Sequence, residues 1–208
     1  MLDLLQKGGP LMWIIVLCSV TAVGIFFERL FSLHRASIPV GEMLRGLSNI
    51  LRKENYAEAL QECATTPGPV ARVAHAMILR HGAPREELRD IAQEAGQLEV
   101  PKLERNMPLL STIAYATPLV GQLGTIIGLL TTFQEIASQS GYASATDIAE
   151  GVYEALLTTA GSLAVALPAF IAYSYLSARI NGLIHDMERA GIEILAILDE
   201  VRTRPPAA

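Results

Sequence analysis

The placement of basic residues constrains this chain more than any motif. No lysine or arginine lies between Lys7 and Arg29, and none between Arg105 and Arg179. A bilayer core about 30 Å thick is crossed by roughly 20 apolar residues of helix, and the two gaps hold three such segments: 10–27 (PLMWIIVLCSVTAVGIFF), 109–133 and 154–176. Trp13 near one end of the first, and Glu28-Arg29 at the other, suit an interfacial anchor and a charged stop. Composition agrees, because 51% hydrophobic and 18% charged residues with a mean hydropathy of +0.35 make the chain too apolar for an ordinary soluble domain. The expected fold class is therefore an all-α integral membrane protein, with three transmembrane helices and long cytoplasmic helical extensions.

Orientation follows from the same residues. Eleven Lys/Arg fall in 28–106, among them Arg29, Arg35, Arg45, Arg89, Lys102 and Arg105, and four more in the tail, Arg179, Arg189, Arg202 and Arg204. The connection 134–153 has none and the N-terminal end only Lys7. The positive-inside rule then makes 1–9 a short periplasmic N-terminus, 28–108 a cytoplasmic helical domain, 134–153 a short periplasmic loop and 177–208 a cytoplasmic helical tail. The first segment reads as an uncleaved anchor, since its apolar run is long, no small-x-small site follows it, and Leu17 before Cys18 is too large for a lipoprotein signal. Cys18 in lipid and Cys63 in a reducing compartment predict no disulfide.

Within 28–108, Met43, Leu44, Leu47, Ile50 and Leu51 recur at helical spacing, residues 56–63 form a second short helix, and Pro67-Gly68-Pro69 breaks the chain. A helix over 70–79 ends at Gly82, and Pro84 in a first-turn position starts a long helix toward the second span, with kinks at Pro101 and Pro108. After 176 the apolar stripe continues through Ile180, Leu183, Ile184, Met187, Ile194, Ala196 and Ile197 to about Val201, so the third span extends about 35 to 40 Å beyond the membrane. Pro205-Pro206 lies in a frayed tail. No sheet, internal repeat or second soluble domain is indicated.

The second span carries Thr117, Gly121, Gly124, Thr125, Gly128 and Thr132 on one stripe, with Gln122 beside it and a GxxxG step at Gly124-Gly128. The third carries Gly151, Ala155, Thr158, Ser162 and Ala166, with Thr159 and Gly161 adjacent. Small residues let helix backbones approach in lipid, so tight packing alone is one reading. The other is two polar walls of a hydrated path. Glu154 is the one carboxylate, and an ionisable group at membrane depth is costly enough to be a functional candidate; alternatively it sits in a first helical turn, where the dipole favours negative charge. Threonines do not titrate near neutral pH, and beyond Glu154 no span contains Asp, Lys, Arg or His. A proton path would thus need a second protein to supply its titratable group.

Three runs carry a resemblance: 121–128 (GQLGTIIG), 154–161 (EALLTTAG) and 166–169 (ALPA). Together with the three spans they resemble the MotA/TolQ/ExbB proton-channel family, the ExbB branch most closely, over nearly the whole chain. The resemblance implies a homopentamer around an ExbD-like or TolR-like single-span partner that supplies the proton-carrying aspartate, and a TonB-like or TolA-like energy transducer. It implies that Thr125, Thr159 and Glu154 line the proton pathway, with Thr117, Gln122, Thr132, Thr158 and Ser162 as further polar pore or packing positions, and Gly121, Gly124, Gly128 and Gly161 for helix packing. Glu154 and Thr159 are five apart, about 140° around a helix, so they do not share a narrow face; Thr158 is nearer the glutamate's side.

Other residues carry less. His34, His75, His81 and His185 have no metal-ligand spacing, and Glu86, Glu87, Arg89 and Asp90 read as a solvated helix face. No phosphate loop, nucleophile elbow or zinc motif occurs, so no enzyme activity, metal, cofactor or nucleic-acid partner is expected. The leading expectation is an ExbB-like subunit coupling proton motive force to TonB-dependent transport. The alternatives are a TolQ-like subunit of an envelope system, a passive membrane scaffold, and a self-sufficient channel in which hydroxyls and carbonyls pass sodium.

Overall fold

A computed structural model describes residues 9–37, 39–138 and 145–203. Residues 1–8 of the N-terminus, 139–144 of the connection, and 204–208 with Pro205-Pro206 lie outside the described residues. Seven helices are present among the described residues and no strand: α1 (Gly9–Ala36), α2 (Val40–Leu51), α3 (Tyr56–Thr65), α4 (Pro69–Leu79), α5 (Arg85–Leu103), α6 (Met107–Ser138) and α7 (Ala145–Thr203). Three stretches, holding α1, α6 and α7, are long and apolar enough to cross a membrane. The chain is an all-α membrane protein.

Its contacts form two compact units, Met1–Glu28 with Asn106–Leu176 and Arg29–Arg105 with Ser177–Ala208. In the first, α6 and the early part of α7 pack through small side chains: Thr117, Ala155, Thr158, Ser162, Ala166 and Ala169 are buried. Many large residues, including Leu119, Leu123, Ile126, Leu130, Leu163 and Leu167, point outward, whereas Leu110, Ile113 and Leu176, toward the ends of the spans, are buried. That inversion of a water-soluble core fits lipid, which solvates Leu as well as another helix does. From α1, Ile15, Ala22 and Ile25 are buried while Trp13, Leu17, Val20 and Phe27 are exposed.

The second unit has an ordinary apolar core. Val70, Val73, Ala74, Met77 and Ile78 of α4 are buried almost completely, with Leu44, Leu47 and Leu51 of α2, Ala59 and Cys63 of α3, Leu88 of α5 and Ile180, Met187 and Ile194 of α7. Burial pushes the Cys63 thiol up to about 11, with the nearby Glu62 charge adding to it, so it stays protonated as a small core side chain. Asn55 caps α3, its side chain accepting from the Glu58 backbone N–H and donating to the Glu58 carboxylate at 2.6 Å.

Two expectations are corrected here. The helix from Pro84 does not run on toward the second span with kinks; it begins at Arg85 and ends at Leu103. Pro108 lacks an N–H and its ring clashes with the carbonyl four residues back, at Glu104, so 104–106 leave the helix and Asn106 takes a left-handed φ of 63°. The Asn106 carbonyl then accepts from Leu110 N at 3.2 Å as α6 starts. The connection expected at 134–153 is helical at both its ends, since α6 reaches Ser138 and α7 begins at Ala145.

Candidate functional site

Antiparallel α6 and α7 meet at three glycines of α6. A Cβ on Gly121 would fall on the Ser162 side chain, one on Gly124 would lie 2.6 Å from Thr158 Cγ2, and one on Gly128 would lie 2.8 Å from Ala155 Cβ. Gly151 answers from α7, where a Cβ would collide with Thr132. Each glycine is thus required by close backbone approach. Gly161 instead faces α1, its Cβ position 3.0 Å from Met12 Cε, and Gly124 also meets Leu11. α1 therefore covers the side of the pair marked by Gly124 and Gly161.

The spacing places Thr125 and Thr159 on the other side. Around a helix, Thr125 is about 100° from Gly124, and Thr159 about 160° from Gly161. Both are half-buried, and their hydroxyls hydrogen-bond each other across the helix pair. Thr159 Oγ1 donates to the Gly121 carbonyl at 3.0 Å, and Thr125 Oγ1 lies 3.1 Å from the Ala155 carbonyl and 3.3 Å from that of Gly121. Each hydroxyl has one proton. Two protons therefore serve two hydroxyl oxygens and two carbonyls, and the cluster is richer in acceptors than in donors.

The remaining polar positions are turned into their own helices. Thr117 donates to Ile113 O at 2.6 Å, Thr132 to Gly128 O at 2.9 Å, Thr158 to Glu154 O at 3.1 Å and Ser162 to Thr159 O at 2.8 Å. All four side chains are buried. Glu154 is half-buried and is not brought to the threonine pair. It stands on the same side of α7 as Gly161, seven residues on and about 20° away. Its place in a first helical turn is contradicted: α7 begins at Ala145, nine residues earlier, whereas the dipole acts within the first turn. Gln122 is exposed. Sequence reasoning missed the Ala155 carbonyl as an acceptor at the site, because nothing in a sequence reports which backbone oxygen a neighbouring helix will approach.

A second polar cluster, also missed, lies in the other unit. Glu99 is buried, pairing with Arg72 at 2.6 Å and Lys102 at 2.7 Å, and the buried Arg29 donates to the Lys102 carbonyl at 3.3 Å. Burial works to raise the Glu99 carboxyl, but the hydrogen bonds and charges of Arg72 and Lys102 outweigh it and hold it below the usual carboxylate range. Among the described residues no group of His, Cys, Asp or Glu is arranged to hold a metal.

Comparison with known proteins gives one family. Residues 56–189 match the MotA/TolQ/ExbB proton channel family. A protein of Methanothermobacter thermautotrophicus described as an ExbB homolog is 27% identical over 90% of this chain and 66% of its own length. The biopolymer transport protein exbB1 of Vibrio cholerae is 32% identical over 84% of this chain and 78% of its own. The Tol-Pal system protein TolQ of Pseudomonas aeruginosa is 40% identical over 48% of this chain and 43% of its own.

Proposed function

The chain belongs to the MotA/TolQ/ExbB proton channel family, and on that premise we propose that it is a proton-channel subunit of a bacterial inner-membrane motor coupling proton motive force to TonB-dependent outer-membrane transport. The observation that carries this reading is the Thr125–Thr159 cluster, acceptor-rich and set on the side of α6 and α7 that α1 leaves open. Such a cluster accepts a hydrogen bond from a protonated acid or a hydrated proton, but has no titrating group with which to carry the proton onward. That group comes from an ExbD-like or TolR-like single-span partner. Glu154 is assigned to the path by family likeness; it stands on the α1 side of α7, about 20° around the helix from Gly161 and away from the threonine face.

In this reading the N-terminus and the 134–153 connection are periplasmic, 28–108 and 177–208 are cytoplasmic, and the distribution of Lys and Arg is the support. Several copies, five by family likeness, surround the partner helices, and proton passage is transmitted to a TonB-like or TolA-like transducer. The likeness to TolQ over half the chain favours a second reading, a subunit of a Tol-Pal envelope system with TolR-like and TolA-like partners.

One experiment separates these readings. In cells lacking the native subunit, wild type, Thr159→Val and Glu154→Ala are compared for growth on a TonB-dependent iron source, with membrane assembly and partner co-purification followed alongside. The proposal expects normal assembly and failed growth for the variants. Full growth by both makes these positions packing elements of a passive scaffold. Failure of assembled wild type to support growth, with rescue of envelope integrity in cells lacking TolQ, points to the second reading.

A further inference from the structure

The four threonines of α6 outside the pair are satisfied within the helix: Thr112, Thr117, Thr131 and Thr132 donate to backbone carbonyls at 2.6 to 2.9 Å. Gln122 is different. It is the only side-chain amide in the segments 10–27, 109–133 and 154–176, it stands sixteenth of the 32 residues of α6, and it is exposed with no hydrogen bond among the described residues. Its neighbours on the surface, Leu119, Leu123 and Ile126, are large and apolar. An amide with open donors and acceptor at the middle of a bilayer carries a large penalty, so lipid is not what covers it.

Direction narrows the occupant. Around α6, Gly124 meets α7 and, of the three seam glycines, is the one that also meets α1; Thr125 lies about 100° away, and Gln122 about 60° further in the same sense. Gln122 therefore belongs to the open surface that carries the threonine pair. The two hydroxyl protons of that pair have backbone carbonyls within reach, which leaves the cluster as an acceptor surface. Acceptors suit a carboxylic acid; they repel a carboxylate. The two amide protons of Gln122 are the complement, because they donate to a carboxylate, while its Oε1 accepts from the acid form.

We propose that Gln122 is a positioning residue for the carboxyl group of a partner membrane helix, holding that group at the threonine face when it is ionised and so stabilising its anionic state. This rests on the proposed function, which supplies the carboxyl-bearing partner. The charge-assisted bond to the anion is stronger than the neutral bond to the acid. Loss of the amide therefore raises the pH at which the partner carboxyl takes up its proton.

The test uses the assembled complex in native membranes. The pH dependence with which a hydrophobic carbodiimide labels the partner carboxyl reports its protonated fraction, since only the acid form reacts. Gln122→Leu and the nearly isosteric Gln122→Met both suit the apolar neighbours and are expected to move the labelling midpoint alkaline by about one pH unit. Gln122→Asn, which keeps donors and acceptor, is expected to restore most of it. An unmoved midpoint in assembled Gln122→Leu and Gln122→Met complexes overturns the assignment. Proton flux of Thr159→Val, measured in parallel, separates the two levels: if it falls while the Gln122 midpoint stays put, only the Gln122 assignment fails. If Thr159→Val conducts normally, or wild type retains no carboxyl-bearing partner, the channel reading fails and this assignment with it.

Discussion

The two halves of α7 share a rhythm and differ in everything that fills it. Over 148–175 the buried positions are Ala155, Thr158, Ser162, Ala166 and Ala169; over 176–203 the buried apolar side chains are Leu176, Ile180, Leu183, Met187, Ala190, Ile194, Leu198 and Val201. Both sets step by three and four residues, as one face of a helix must. The first half buries small side chains and exposes Leu156, Leu163, Leu167 and Ile171, whereas the second buries large ones and exposes Asn181, His185, Glu188 and Arg189. Period therefore locates a packed face, and side-chain size reports the medium. In lipid, close backbone approach and hydrogen bonds hold helices together; in water, removal of apolar area does.

The comparison can be broken by exchanging the two kinds of packing. Ile194→Ala empties a fully buried site in the second half and is expected to cost about 2–5 kcal/mol in thermal or denaturant unfolding. A loss well under this would mean that area burial does not hold this region. Gly121→Val makes the reverse error in the other region, driving a side chain onto Ser162. It is expected to cost about 1–3 kcal/mol and to part α6 from α7, which loss of cross-linking between cysteines placed at Thr125 and Thr159, whose hydroxyls touch across the pair, would register.

Polar interactions sharpen the contrast at smaller scale. Glu99→Gln is expected to cost about 1 kcal/mol, less than a fully buried pair would, because Arg72 and Lys102 are 53% and 64% exposed and stay hydrated. The sign with pH is fixed by the lowered carboxyl. Its stabilisation is fully present above the ordinary value of 4.5 and is lost as pH falls through the folded-state value. Wild type should therefore lose melting temperature on acidification below that range more steeply than Glu99→Gln. The Arg52–Glu200 pair at 3.1 Å, with both side chains about half exposed, is expected to contribute at most about 0.5 kcal/mol, screened by salt. A double-mutant cycle at two ionic strengths checks it.

The same contrast explains what could be read from the residues alone. The absence of Lys and Arg from 106–178 exposes the spans, because few side chains are so uniformly excluded from hydrocarbon. The small-residue stripes on α6 and α7 were visible for a similar reason, yet which glycine meets which side chain was not. The pairing of Gly121 with Ser162 and Gly128 with Ala155 depends on the crossing of two helices, which no local pattern records. The break at 104–106 was hidden because Pro101 and Pro108 each allow a kink as readily as a stop. Burial of Arg29 and Glu99 was hidden because a charge in the sequence does not report which partners the tertiary fold brings to it.

The central claim is that the hydroxyl face formed by Thr125 and Thr159 conducts protons with its partner, and is not merely a packing surface. Thr159→Val tests it most directly, since it preserves shape while removing the bonds to Gly121 and Thr125, at an expected stability cost of only about 0.6–1 kcal/mol. The measurement is proton flux into liposomes holding the purified complex with its partner, driven by an imposed potential and followed with a trapped pH dye. The account predicts an assembled Thr159→Val complex whose flux falls at least about tenfold, a barrier increase of about 1.4 kcal/mol. Flux equal to wild type from an equally assembled complex would contradict it.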